Sequence, residues 1–180
     1  TSRPFHAEAD GLVPAEGAAF LALKRLEDAC EQGDHIYGVI RGIGLSNDGR
    51  GRGFLAPSVD GQKRALERAY TAAGLSPSLL SLLECHATGT AVGDATEIQS
   101  TAALFDGCRD VPIGSLKSNM GHSITAAGAA GLIKVLEAMR HGKRPPTLHA
   151  DVPNPALDGS PFRLLHELED WEQEGPRIAG

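Results

Sequence analysis

The amino-acid sequence predicts an α/β protein layered around a sheet, and three observations carry that expectation. Short apolar or β-branched runs alternate along the chain with longer segments whose apolar residues recur at helical spacing. Two of those runs, residues 79–85 and 111–116, are apolar almost throughout rather than alternating, which is the pattern of strands covered on both faces. Glycine is abundant, with 22 among 180 residues, against a usual share of roughly 7%. So much glycine implies tight turns and close backbone approaches.

In chain order, residues 15–26 read as a strand of small and apolar residues, and residues 26–32 as a short helix that Gly33 stops. Residues 37–45, rich in β-branched side chains, read as a second strand. The stretch 46–53, Ser-Asn-Asp-Gly-Arg-Gly-Arg-Gly, reads as a turn-rich surface loop. A helix is expected over 58–74, with Ala65, Leu66, Ala69, Ala72 and Ala73 as its apolar positions. Ser76-Pro77 opens a short helical turn, residues 79–85 form a central strand, and residues 94–105 a helix. Residues 111–116 give another buried strand, and the small-residue run 124–139 a closely packed helix ending at His141-Gly142. Beyond it Pro145, Pro146, Pro153 and Pro155 exclude regular helix, and residues 161–165 offer one more strand.

Composition excludes several function classes. The net charge of −6 is spread along the chain with no lysine- or arginine-rich block, so a nucleic-acid partner is not expected. No apolar run approaches the ~18–20 residues that span a bilayer, and the first residues lack a secretion signal. Three cysteines, Cys30, Cys85 and Cys108, form no C-x-x-C pair and imply neither a disulfide framework nor a zinc site; a reducing cytoplasm suits them. The chain opens on Thr1-Ser-Arg-Pro-Phe and closes on Arg177-Ile-Ala-Gly180, which reads as one domain-sized piece, residues 1–180, of a longer polypeptide.

The chemistry gathers where the two apolar strands run into polar, glycine-containing loops: Glu84-Cys-His86-Ala-Thr88-Gly-Thr90 and Lys117-Ser-Asn-Met-Gly-His122. Strand C-terminal ends are where layered α/β folds build sites. His86 and His122 are donors suited to a developing oxyanion or enolate, and Lys117 adds positive charge beside them. Glu97 is a plausible counter-ion that fixes Lys117, and Thr88 and Thr90 offer hydroxyls to an extended polar ligand arm. Against this stand the plainer alternatives. A single histidine in such a turn is more often structural, Glu97 and Lys117 could be a simple ion pair, and His86 with His122 could bind a metal, although neither loop has a second ligand at metal spacing. The glycines at 49, 51 and 53 lack the ending of a phosphate cradle. The remaining histidines, His6, His35, His141, His149 and His166, read as solvated.

Taken together and in order, these blocks resemble the ketosynthase family of the thiolase-like superfamily. The resemblance rests on Arg3-Pro-Phe-His-Ala-Glu-Ala-Asp-Gly11 with Glu16-Gly-Ala and Leu23-Lys-Arg-Leu-Glu-Asp-Ala29, on Asn47-Asp-Gly49 with Ala56-Pro57, and on the His86 motif followed by Gly93-Asp94 and Glu97. It continues through Lys117-Ser-Asn-Met-Gly-His122, Ala130-Gly-Leu-Ile-Lys134, Pro145-Pro-Thr-Leu-His149 and Pro153-Asn-Pro155. What the resemblance implies is the second, C-terminal half of a thiolase-like layered fold, incomplete at both ends. It also implies a β-ketoacyl synthase that condenses malonyl-type and acyl thioesters, with decarboxylation, in polyketide or fatty-acid biosynthesis.

By that resemblance a cysteine is acylated, and His86 and His122 assist decarboxylation of a malonyl unit on acyl carrier protein. Lys117 is then the associated lysine, Glu97 its partner, and Thr88 and Thr90 contact the phosphopantetheine arm, which serves as substrate carrier with no tightly bound cofactor. The family implies a homodimer and an N-terminal half as further partners. The sequence departs from the family at His6, where Asp is usual, and at Ala87, where Gly is common. None of the three cysteines stands in the nucleophile's context, and Cys85 should point away from His86. The isolated segment is therefore not expected to be active alone. A truncated half with an assembly role, and a decarboxylating variant, are the alternatives.

Overall fold

The computed structural model describes residues 1–49 and 56–180. Among them are five α-helices, α1 (Leu26–Glu31), α2 (Val59–Ala73), α3 (Ala91–Ala102), α4 (Lys117–Met120) and α5 (Ala127–His141). The strands are β1 (Leu83–Glu84), β2 (Val111–Gly114), β3 (Lys143–Arg144), β4 (Phe162–Leu164) and β5 (Glu169–Asp170). Strands β1, β2 and β4 form a parallel sheet in that order, with Leu83 opposite Ile113 and Ile113 opposite Leu164. β3 pairs antiparallel with β5, a connection that the sequence did not announce.

Both faces of the parallel sheet are covered, and neighbouring residues show it. Side chains alternate across a strand, so Leu82 and Leu83 belong to different cores. Leu83 packs with Ile113, Phe162, Phe5, Ile98 of α3 and Phe105. Leu82 packs with Ala138 of α5, Leu165 and Trp171. Helices on both faces explain why 79–85 and 111–116 carry apolar residues without alternation. The strands themselves are shorter than expected, because residues 77–79 turn as a 3₁₀ helix and α4 takes over at Lys117.

The long helices sit close to their expected places. Ser58 caps α2 by accepting the Gly61 N–H at 3.2 Å, and Gly74 ends it at φ 63°. α3 begins at Ala91 rather than 94, taking Gly93 into its first turn; a Cβ there would overlap Thr90 Oγ1, so close approach outweighs the usual helix cost of glycine. Residues 124–126 form a 3₁₀ turn before α5, which closes on Gly142 at φ 61°. α2 lies against α3, with Ser100 Oγ donating to Gln62 Oε1 at 2.6 Å.

Residues 15–26 and 37–45, expected as strands, join no sheet, and Leu26 is instead the first residue of α1. In the second, Gly42 and Gly44 are half-buried and every other residue, Gly38 included, is exposed. A Cβ on Gly42 would come within 2.7 Å of Ala73 N, and one on Gly44 within 2.5 Å of Ala69 N, both in α2. Tyr37, Val39, Ile40, Ile43 and Leu45 are exposed, as are Phe20 and Leu23 in the first. β-branched residues favour strand, but pairing needs a neighbouring strand, and these segments belong to neither sheet among the described residues. In the expected 46–53 turn, Asn47 Oδ1 accepts the Gly49 N–H at 3.1 Å and Gly49 adopts φ 59°; residues 50–53 lie outside the described residues.

His6 is not solvated as expected. It is buried, its Nδ1 accepts the Glu8 N–H at 2.9 Å, and its Nε2 lies 3.6 Å from Asp151. The reason is that the turn around His6 pairs with residues 152–154: Ala7 N–H donates to Val152 O at 2.8 Å and Asn154 N–H to Phe5 O at 2.7 Å. His35, His141, His149 and His166 are exposed. No helix among the described residues is long and apolar enough to cross a membrane. The close approach of residues 37–45 to α2 makes Gly44 a sensitive position. Gly44→Val should lower stability by about 2–3 kcal/mol through overpacking, read as a fall in the urea midpoint of the chain with an unchanged m-value.

Candidate active site

Both expected loops leave the same end of the sheet, and their histidines meet there. The imidazoles of His86 and His122 stand edge to face, with ring centroids 5.3 Å apart. His86 follows β1 directly, and His122 follows the single turn of α4 that begins with Lys117. Lys117 is buried, while His86 keeps an exposed face. The Thr88 and Thr90 hydroxyls lie 3.2 Å apart at the mouth of α3.

Backbone in the His86 loop is held by two carboxylates three residues apart on α3, a spacing that puts them on one helix face. Asp94 is wholly buried. Its Oδ1 accepts the N–H groups of Thr88 at 3.0 Å, Gly89 at 3.2 Å and Thr90 at 3.4 Å, and its Oδ2 accepts that of Phe5 at 2.8 Å. Glu97 accepts the His86 N–H at 2.6 Å and the Ala87 N–H at 2.7 Å. Desolvation raises the pKa of both acids, and these backbone donors pull it back. Glu97 therefore differs from its expected place as an ion-pair partner. No carboxylate closes an ion pair with Lys117 among the described residues, and Glu97 acts on it only through space, behind Glu84.

A strap formed by residues 10–15 ties the two loops together. Asp10 bridges Thr90, and Pro14 bridges His122. Gly11 N–H donates to Gly89 O at 2.9 Å, His122 N–H to Val13 O at 2.7 Å, and Ala15 N–H to His122 O at 2.9 Å. Gly89 at φ 79° and Gly121 at φ 81° are required here: a Cβ on Gly121 would stand 2.8 Å from Val13 O. Sequence reasoning missed the strap, since main-chain pairing of this kind leaves no side-chain pattern. Arg3 pairs with Asp10 at 3.1 Å across its start.

Protonation is shaped by the same packing. His122 Nδ1 accepts the Ile124 N–H at 2.9 Å, which places the proton of the neutral ring on Nε2. Ile124 reaches that position at φ 50°, an uncommon conformation for a β-branched residue. Desolvation, then the Lys117 charge, holds the pKa of His86 and of His122 below the usual 6.5, with His122 adding to the effect on His86. Desolvation likewise lowers the Lys117 pKa, opposed first by Glu84. The site thus keeps two neutral imidazoles as N–H donors beside a lysine. Cys85 is buried in the sheet core, away from His86, and desolvation pushes its thiol pKa well up. No group of three or more potential metal ligands forms among the described residues.

A parallel sheet covered on both faces, with paired histidine loops at one end, defines a layered α/β protein of the thiolase-like class. Solved structures agree. The chain matches the oxazolomycin ketosynthase domain OzmH KS7 of Streptomyces albus JA3453 at TM-score 0.94 and 40% identity, covering 98% of this chain and 33% of that one. The family described as "Beta-ketoacyl synthase, C-terminal domain" matches residues 37–151. Among curated relatives, the PKS-NRPS hybrid synthetase ATPKS of Aspergillus niger is 44% identical over 99% of this chain. Polyketide synthase PksL of Bacillus subtilis is 40% identical over 95% of it. The chain spans 10% and 4% of those two proteins. It belongs to the β-ketoacyl synthase family, as ketosynthase C-terminal sequence of the polyketide-synthase type.

The lowered histidine pKa values give a signed prediction. A histidine whose folded pKa lies below its unfolded value adds stability that is present above pH 6.5 and is lost as pH falls below it. Removing the neighbouring charge with Lys117→Met should move the His86 and His122 titrations upward toward 6.5, read from the imidazole NMR shifts between pH 4 and 8, roughly the range spanned by histidine titration.

Proposed function

We propose that these residues form the condensation half of the active site of a β-ketoacyl synthase, working on malonyl-type and acyl thioesters carried by acyl carrier protein. The observation that carries the reading is the facing pair His86 and His122, with the His122 proton directed to Nε2. Two imidazole N–H donors at one point suit the oxygen of a thioester enolate, which needs stabilisation without a metal.

In this reading the malonyl carboxylate leaves as carbon dioxide, and the electron pair of the broken carbon–carbon bond forms an enolate held by both imidazoles. The enolate carbon attacks an acyl thioester on a cysteine, and the cysteine thiolate departs as the new carbon–carbon bond closes. Lys117 lends positive charge next to the histidines, and the Thr88 and Thr90 hydroxyls hold the phosphopantetheine arm. Glu97 holds the His86 backbone, and its charge favours the protonated form of Lys117. The nucleophilic cysteine would come from residues of the ketosynthase beyond this segment. The exposed, unpaired runs 15–26 and 37–45 are where that remaining part would pack, and a homodimer of the complete domain is part of the same reading.

In the complete ketosynthase, His86→Ala and His122→Ala should each lower decarboxylative condensation by about 100-fold or more. Acylation of the cysteine, followed by intact mass, should still occur. Condensation at the unmodified rate in both variants would remove the basis for the reading.

A further inference from the structure

The buried ion pair between Glu84 and Lys134 lies beside the site, and beyond the through-space effect of Glu84 on Lys117 it has no role in the condensation proposed above. Glu84 ends β1, two residues before His86, and Lys134 lies in the middle of α5. Their side chains are only 11% and 8% exposed, and Lys134 Nζ donates to Glu84 Oε2 at 2.5 Å. The other carboxylate oxygen, Oε1, accepts the N–H of Leu116 at 2.6 Å. Leu116 is the residue from which the Lys117–His122 turn starts.

The surroundings are shaped for this pair. A Cβ on Gly131 would stand 3.2 Å from Glu84 Cγ, so α5 meets the glutamate one turn before Lys134 with no side chain between. At Gly114, paired with Glu84 across the sheet, a Cβ would stand 3.4 Å from Lys134 Nζ and 2.6 Å from Thr147 Oγ1. The same turn is held on its far side by Ser115, whose N–H donates to Thr147 Oγ1 at 3.3 Å and whose hydroxyl donates to Ala87 O at 3.0 Å. A single carboxylate so joins three elements: the strand carrying His86, the turn carrying Lys117 and His122, and α5.

A buried ion pair is weak evidence of stability, because desolvation offsets the attraction and apolar replacements often serve as well. Its geometry here points elsewhere. We propose that Glu84 is a positioning residue that sets the Lys117–His122 turn against His86 through the Leu116 N–H, and that Lys134 is the counter-ion allowing a carboxylate to do so inside the protein. The inference rests on the condensing role proposed for the two histidines.

The test uses double variants of the complete ketosynthase, so that neither charge is left buried alone. Glu84→Leu with Lys134→Met removes the acceptor, whereas Glu84→Gln with Lys134→Met keeps an amide oxygen for Leu116. The leucine pair should lower the kcat of condensation by about 10- to 100-fold, with the KM for the acyl carrier substrate moving less than about 3-fold, the signature of misplaced catalytic groups. The glutamine pair should recover most of that kcat. Leu116→Pro removes the donor instead, at a residue whose φ of −57° suits proline, and should reproduce the loss if the leucine pair fails to fold.

Wild-type kcat in the folded leucine pair or the proline variant would overturn the proposal, as would equal loss in the leucine and glutamine pairs. His122→Ala, measured alongside, separates the two ideas. If it condenses normally, the role given to the histidines has failed rather than the placement given to Glu84.

Discussion

The buried carboxylate of Asp94 is the contact on which the rest of this structure depends. Placing an ionised carboxylate out of water costs several kcal/mol, and here four backbone N–H groups offset that cost with charge-assisted hydrogen bonds. Three of the donors are consecutive residues of the His86 loop, and the fourth is Phe5 at the start of the chain. The loop is consequently shaped by a side chain of the helix that follows it. Glu97, one turn further along α3, repeats the device on His86 and Ala87.

The second loop is held differently, and the contrast explains how the pair is aligned. Main-chain bonds from the 10–15 strap fix His122 from one side, and the Glu84 carboxylate takes Leu116 from the other. Since the strap also bonds Gly89, the position set by Asp94 is passed to His122 through backbone alone. Gly89 and Gly121 permit that close contact, and Ile124 accepts an uncommon φ so that its N–H can settle the tautomer of His122.

Much of this was legible in the sequence. Strands and helices alternated as expected because period and apolar content report burial directly, and the continuous runs around Leu83 and Ile113 marked strands covered on both faces. His86, Lys117, His122, Thr88 and Thr90 were singled out as loop residues at strand ends, and the fold does gather them there. The strap was not legible, since backbone hydrogen bonds have no residue signature. Residues 15–26 read as a strand from small and apolar residues and 37–45 from β-branched ones, while pairing depends on a partner the local pattern cannot name. Glu84 carries a signal of its own: the one acid in the mostly apolar run 79–85, with Lys134 the one basic residue of the run 124–139. Glu97 was placed on Lys117 by charge matching, but the unsatisfied backbone donors at His86 and Ala87 compete for the same carboxylate and hold it.

Whether the carboxylates of α3 lock the His86 loop as firmly as the sheet is locked can be read by amide hydrogen exchange of the chain at Phe5, Thr88 and Gly89. Protection at these three amides should match that of strand β2, so that they exchange only when the whole fold opens. Exchange at the rate of an exposed loop, with β2 still protected, would contradict it and would mean that the facing histidines are held by something other than Asp94.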